Sequence, residues 1–196
     1  MADTYTDLEL DVLREVVNIG SSKAASALST LVDMDVDVST PVARVLALTE
    51  AIEHIGPGGT DVTAVVIPVS GDLQALVLMV MHPPTEAVAC ELLGVEAGTD
   101  IGHSALAELG NILGASYLGA ISTLTGLELD SSPPEIALDM LAAVLTDALP
   151  ADADDDRVLL LESTLSVAGR QCSPALLFIP ARGNVGEIFA RLGVPA

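Results

Sequence analysis

Glu15 and Asn18 stand three residues apart in an otherwise apolar and small-residue segment, EVVNIGSSKAASALS (15–29). Glu108 and Asn111 stand in the same relation in ELGNILGASYLGAIS (108–122). Asn is a weak helix former because its amide competes for nearby backbone groups, at a cost of roughly 0.5 kcal/mol against Ala. Its use twice in one setting calls for a chemical reason. Asp11 lies four residues before Glu15 and Ser104 four before Glu108, so each triplet runs i, i+4, i+7 along one stripe of a helix. A carboxamide on such a stripe can fix a water in line with a phosphorus atom, as the positioning Gln of GTPases does. A carboxylate one turn away can pair with a cation on the molecule that carries the phosphoryl group. Such a site needs no metal or nucleophile of its own if its partner supplies them.

Other chemistries find less support. No second carboxylate is placed for glycosidase-type acid/base work, and no His or Cys stands at a fixed spacing for nucleophilic catalysis. His54, His82 and His103 are scattered and read as surface or partly buried residues. Asp33, Asp35 and Asp37 resemble the start of a calcium loop, but such a loop needs Gly at its sixth position and an acid at its twelfth, where this chain has Val38 and Arg44. They read as the wet face of a strand. Gly20-Ser21-Ser22-Lys23 lacks the first Gly of a P-loop. No metal site is expected.

The composition narrows the partners. Twenty-eight acids face seven basic residues, giving a formal charge of −21. A nucleic-acid surface needs a basic stripe to displace counterions, and none exists here. Asp-rich, Lys-poor composition around an ordinary apolar core, 51% hydrophobic, fits adaptation to high salt, where self-repulsion is screened within ~3 Å at 1 M. The first residues, MADTYTDLEL, have neither the basic nor the apolar segment of a signal peptide. The longest apolar run, Ala75–Met81, is far short of the ~20 residues that span a bilayer. Cys90 and Cys172 have no metal or redox spacing and read as buried thiols in a reducing compartment. The expected location is cytoplasmic, with no membrane insertion.

The doubled motif belongs to a longer repeat. At a shift of 93 residues, Asp11, Glu15, Asn18, Ile19, Ala27, Ser29, Leu31 and Pro41 fall on Ser104, Glu108, Asn111, Ile112, Ala120, Ser122, Leu124 and Pro134. Further on, LLGV (92–95) meets RLGV (191–194) at a shift of 99, so the second copy has gained six residues, with 151–156 and 168–174 the natural places.

One half serves to read both. Residues 7–31 have helical periodicity with Asp7 as candidate N-cap. The alternating stretch 32–39 reads as a strand with one wet face, and a short helix near 48–55 ends at GPGG. A hairpin, 62–70 and 73–81, turns at Gly71-Asp72, and a helix over 84–94 closes the half. The prediction is a single α+β domain of two repeated halves, about 1–98 and 99–196, with internal pseudo-twofold symmetry. It holds a six-stranded, largely antiparallel sheet, two long helices and shorter ones, and the sheet is expected to be covered on one face.

The two segments, each with Pro 23 residues after its Asn, resemble the repeated signature of the CheC family of chemotaxis phosphatases, the CheC/CheX/FliY group. That signature is Asp or Ser, three residues, Glu, two residues, Asn, twenty-two residues, Pro. Asp11-Glu15-Asn18-Pro41 and Ser104-Glu108-Asn111-Pro134 both fit it. The resemblance, to an archaeal and salt-adapted member, implies a CheC-like fold and hydrolysis of the aspartyl phosphate of CheY-P, the phosphorylated receiver of chemotaxis. It implies that Asn18 and Asn111 orient the attacking water while Glu15 and Glu108 pair with a receiver Lys. Asp11 and Ser104 would be auxiliary, Pro41 and Pro134 structural. No cofactor of its own is implied, since the Mg²⁺ sits on the receiver. Many family members also bind CheD, a receptor deamidase, which adds CheD to the expected partners. The second copy follows the family wording more closely, with Gly110 where the first has Val17, so Glu108/Asn111 is expected to be the stronger site. Val17 is expected to crowd a docking helix of the receiver. The competing reading is a non-catalytic adaptor or motor-switch-like module that docks CheY or CheD.

Overall fold

The structure is a computed structural model that describes residues 7–39, 42–149, 157–162, 164–167, 169–180 and 191, with side chains left out for 7–14 and 17. In chain order the first half gives α1 (Asp7–Val32), β1 (Val36–Val38), β2 (Val42–Ala47), α2 (Leu48–Ile55), β3 (Asp61–Gly71), β4 (Ala75–Met81) and α3 (Pro83–Leu92). The second gives α4 (Asp100–Thr125), β5 (Leu129–Ser131), β6 (Glu135–Met140), α5 (Leu141–Asp147), β7 (Arg157–Glu162), β8 (Leu165–Val167), β9 (Arg170–Cys172) and β10 (Ala175–Pro180). The closing helix expected for the second half falls outside the described residues.

The main sheet is antiparallel throughout, in the order β2-β7-β10-β4-β3, with β5 and β6 sharing the far edge along β3. Seven strands thus fill six positions. The halves are interleaved: β2 of the first pairs with β7 of the second, and β6 of the second with β3 of the first. The central contact joins β4 to β10, one strand from each half. The hairpin β3–β4 runs unbroken. Its counterpart is split, so β8 and β9 continue β7 and β10 as a separate three-stranded sheet with β1.

The register locates part of the inserted length. Val42 pairs with Glu162, and Glu135, 93 residues after Val42, pairs with Val66. Glu162 therefore corresponds to Val66 at a shift of 96, which puts three of the extra residues ahead of β7.

The central strands are covered on both faces, not on one as expected. Val65, Ile67, Val77 and Met79 pack with Leu109, Leu113 and Ile121 of α4, while Val62, Ala64, Leu78 and Val80 pack with Leu141, Val144 and Leu145 of α5. The near-continuous apolar runs ALVLMVM and VLLL are the sequence form of a strand buried on both sides. Strict alternation belongs only to short pieces such as β1.

Two boundaries also moved. The expected strand over 32–39 shrinks to β1, because α1 runs to Val32 and a turn follows it. Asp7, the first described residue, is already helical and is not the cap.

The long helices owe their placement to small residues. A Cβ on Gly110 would come 2.8 Å from Cγ1 of Val65, and one on Gly114 3.1 Å from Cδ1 of Ile67, so α4 lies close on the sheet through a Gly pair four residues apart. A Cβ on Gly20 would clash with the ring edge of Tyr117, so this glycine lets α1 and α4 come together. Helix α4 is well bounded. Thr99 caps it by accepting from the Gly102 N–H at 3.0 Å, and Gly126, at φ 73°, ends it with its N–H donating to the Ser122 carbonyl.

Candidate functional site

Each Glu-x-x-Asn pair lies in the middle of a long helix, on a face that the sheet does not use. In α4 the buried positions Leu106, Leu109, Gly110 and Leu113 face inward. Ser104 and Glu108 fall between them and are exposed, and Asn111 is half-buried. In α1, Val16 and Gly20 are buried while Glu15 and Asn18 are exposed. Asp11 belongs to α1, but its side chain lies outside the described residues, as do Val17's and the whole of Pro41.

Gly110 explains its own place in the motif. It sits between Glu108 and Asn111 and points at Val65, so it lets the helix approach the sheet. At the second copy, then, this position faces the core, while the expectation that Val17 crowds a docking helix falls on a side chain outside the described residues. Pro134 lies in the break between β5 and β6, where a residue without an N–H costs the ladder nothing. The preceding Ser132 N–H donates to the Pro68 carbonyl at 2.8 Å.

Ser104 and Glu108 share an open groove of about 850 Å³ between the end of α1, the end of α3 and the start of α4. Its other walls include Leu31, Met34, Leu93 and Ile101, and among the described residues neither Glu15 nor Asn18 of the first motif lines it. The structure thus joins Ser104 to Glu108 in one concavity and leaves Glu15 and Asn18 elsewhere. Sequence reasoning missed the apolar walls; the only available signal was a polar-faced helix start, Asp100–Ile101–Gly102–His103, that carries a large aliphatic residue without an obvious core partner.

Lys23, the single lysine, reaches from α1 toward α4, its Nζ 3.5 Å from the Gly119 carbonyl oxygen. Cys90 and Cys172 are both free and buried. Burial pushes the Cys172 thiol up to about 11, and burial followed by the charge of Glu86 raises that of Cys90. Neither is primed as a thiolate at neutral pH. His54 lies with its Nε2 2.9 Å from Glu162, and the Nε2 of His82 sits 3.1 Å from the Ile55 carbonyl oxygen. Among the described residues no three His, Cys, Asp or Glu side chains gather as metal ligands, and no helix is long and apolar enough to cross a membrane.

An interleaved α+β domain that presents two Glu-x-x-Asn stripes on its outer helices is a defined class of protein. The CheC-like family model matches residues 8–44 and 101–138, the two stretches that contain the stripes and the prolines after them. The "CheY-P phosphatase CheC" of Bacillus subtilis is 32% identical over 196 residues, covering 94% of each chain. The chain belongs to the CheC-like family. The "Flagellar motor switch phosphatase FliY" of the same organism is 26% identical over 173 residues, which cover 84% of this chain and 44% of that one. Among solved structures, the crystal structure of Thermotoga maritima FliY superposes with a TM-score of 0.75 over 97% of this chain and 98% of its own, at 20% identity, a likeness of fold.

Proposed function

We propose that the chain is a protein-aspartyl-phosphate phosphatase that acts on the phosphorylated chemotaxis receiver CheY-P. The observation that carries this reading is the pair Glu108/Asn111 on an outward face of α4, repeated as Glu15/Asn18 on α1. The relatives named as phosphatases support it.

In this mechanism the side-chain amide of Asn111 holds a water in line with the phosphorus of the receiver's aspartyl phosphate. The water oxygen bonds to phosphorus as the P–O bond to the aspartyl carboxylate breaks. The carboxylate leaves, and inorganic phosphate departs with the water's oxygen. Glu108 pairs with a receiver Lys and so fixes the distance between the amide and the phosphoryl group. The divalent cation, Mg²⁺, belongs to the receiver and neutralises charge on the phosphoryl oxygens; this chain supplies no cofactor. Asn18 and Glu15 repeat these roles, with Ser104 and Asp11 one turn earlier as auxiliaries. Pro41 and Pro134 shape the strands that follow. The halves, about 1–98 and 99–196, are one duplicated unit within a single cytoplasmic domain, adapted to high salt. CheD is a second partner of this reading.

The test is the lifetime of phosphate on CheY-P with and without the protein, at molar salt. Wild type should shorten it, and Asn18→Ala combined with Asn111→Ala should restore the intrinsic lifetime. Full activity in the double variant would sink the water-positioning mechanism. Binding of the receiver with an unchanged lifetime would favour the adaptor reading instead.

A further inference from the structure

The groove beside Glu108 exposes more apolar surface than a helix face needs. Ile101 is 70% exposed, and Leu31 and Met34 are each 44% exposed. All three line this one groove with Ser104 and Glu108, from three different segments: α1, the turn after it and the first turn of α4. Its charged wall residues among those described, Asp100 and Glu108, are both acidic, and no described Lys or Arg lines it.

This surface is not a by-product of the repeat. Position 127 corresponds to Met34 at the shift of 93, and Leu127 there is only 4% exposed. Leu124, which corresponds to Leu31, is half-buried. Of the counterparts whose side chains are described, Leu127 turned inward and Leu124 partly so, while Met34 and Leu31 stayed outside, next to the second copy's Glu.

We propose that this groove is the docking surface for the receiver's active-site face at the second site, with Ile101, Met34 and Leu31 setting affinity while Glu108 and Asn111 act at the phosphoryl group. The inference rests on the phosphatase reading for the identity of the partner. Its geometry is continuity: Glu108 is both a wall of the groove and a member of the stripe, and Asn111 lies one turn further along the same helix. A molecule that brings a phosphoryl group to Asn111 therefore covers the groove. Its charge is complementary as well, because acidic, apolar walls suit a face that joins apolar side chains to a cation. Apolar burial is also the term that survives at molar salt, where ion pairing is screened within ~3 Å.

The experiment measures two quantities on intact protein: steady-state phosphate release from CheY-P, and binding of the receiver held in its active form by beryllofluoride and Mg²⁺. Ile101→Asp and Met34→Asp should each raise KM and the dissociation constant Kd about tenfold or more and leave kcat within about twofold. Asn111→Ala should do the reverse. Ile101 is exposed, so its variant should melt at the wild-type temperature, and Ile101→Ala gives a milder second reading in the same direction. Unchanged binding in both Asp variants would overturn the proposal, as would a fall in kcat with KM intact. If wild type binds without speeding phosphate loss, and the Asp variants lose that binding, the docking surface stands and the phosphatase reading falls. A wild type that does not bind the active receiver overturns the docking assignment.

Discussion

The two long helices are copies of one segment held to different standards. Helix α4 begins at a capped Thr99, lies on the sheet through Gly110 and Gly114, and ends at Gly126 in the left-handed conformation. Helix α1 has Ser21 where α4 has Gly114 and Asp33 where α4 has Gly126. Asp33 adopts φ 51°, so the first copy reaches the same left-handed turn with a residue that resists it. Hydroxyls that bond back to carbonyls four residues earlier occur in both, Ser26 and Thr30 in α1 and Ser116, Thr123 and Thr125 in α4, so that pattern does not separate the helices. The two amides differ in exposure. Asn111 is half-buried and has fewer rotamers left to lose on holding a ligand, whereas Asn18 is exposed. Two copies of one segment need not stay equal when their helices are packed and ended differently.

The largest expected effect tests that inequality directly. A catalytic group misplaced by about 1 Å can cost 10²-fold, so losing the amide should cost its own site at least that order. Asn111→Ala should then remove most of the acceleration of CheY-P dephosphorylation, and Asn18→Ala the smaller share. Equal losses from the two single variants would break the comparison.

Gly110→Val comes next, because it writes the first copy's residue into the second. The new side chain meets Val65 across a gap with no room for a Cβ. Overpacking of this kind costs about 1–3 kcal/mol. Thermal unfolding should show that loss, and phosphate release should slow as α4 lifts and carries Asn111 with it. A variant of unchanged stability would mean that α4 is not held by close approach to the sheet.

Much of this was legible in the sequence, and the reasons it stopped are physical. The repeat aligned α1 with α4 because both copies keep a helical apolar pattern and a following Pro. The hairpin β3–β4 and helix α2 were also readable, from the Gly71-Asp72 turn and from GPGG. Strand β2, VARVLA, carries no turn signal and was absorbed into the loop before α2. The second face of the sheet was missed because coverage by α2 and α5 is a tertiary fact, and an apolar run of six or seven residues does not say how many faces it buries. At the site, spacing gave the stripe on each helix. It did not give the groove, which Leu31, Met34 and Ile101 form only once the end of α1 meets the start of α4.

The helix ends offer a smaller test. Asp33→Gly should stabilise the protein by about 1 kcal/mol, since Gly adopts φ > 0 freely and Asp does not. Gly126→Asp should cost about the same for the same reason. Denaturant unfolding of the two variants reads both signs, and matching shifts of opposite direction would show that the helix ends remain equivalent. If Asp33→Gly were destabilising, the aspartate side chain would have to be holding the turn itself.

The smallest expected effect concerns charge. Glu162 accepts contacts from Arg44 at 3.6 Å and His54 at 2.9 Å, joining β7 of one half to β2 and α2 of the other. The corresponding residues in the other copy are Val66, Ala137 and Asp147, so no such cluster can form there. All three side chains of the cluster are more than a third exposed, and exposed pairs contribute about 0.2–1 kcal/mol. In a chain of charge −21, removing one carboxylate also relieves repulsion, which works against the loss of the pair. Glu162→Gln should therefore shift stability by less than about 1 kcal/mol at low salt, and by less still at 1 M, where the screening length is ~3 Å. Thermal melts at the two salt concentrations decide it. A loss of several kcal/mol that persists at 1 M would mean that this cluster, and not the apolar contact of β4 with β10, fastens the two halves.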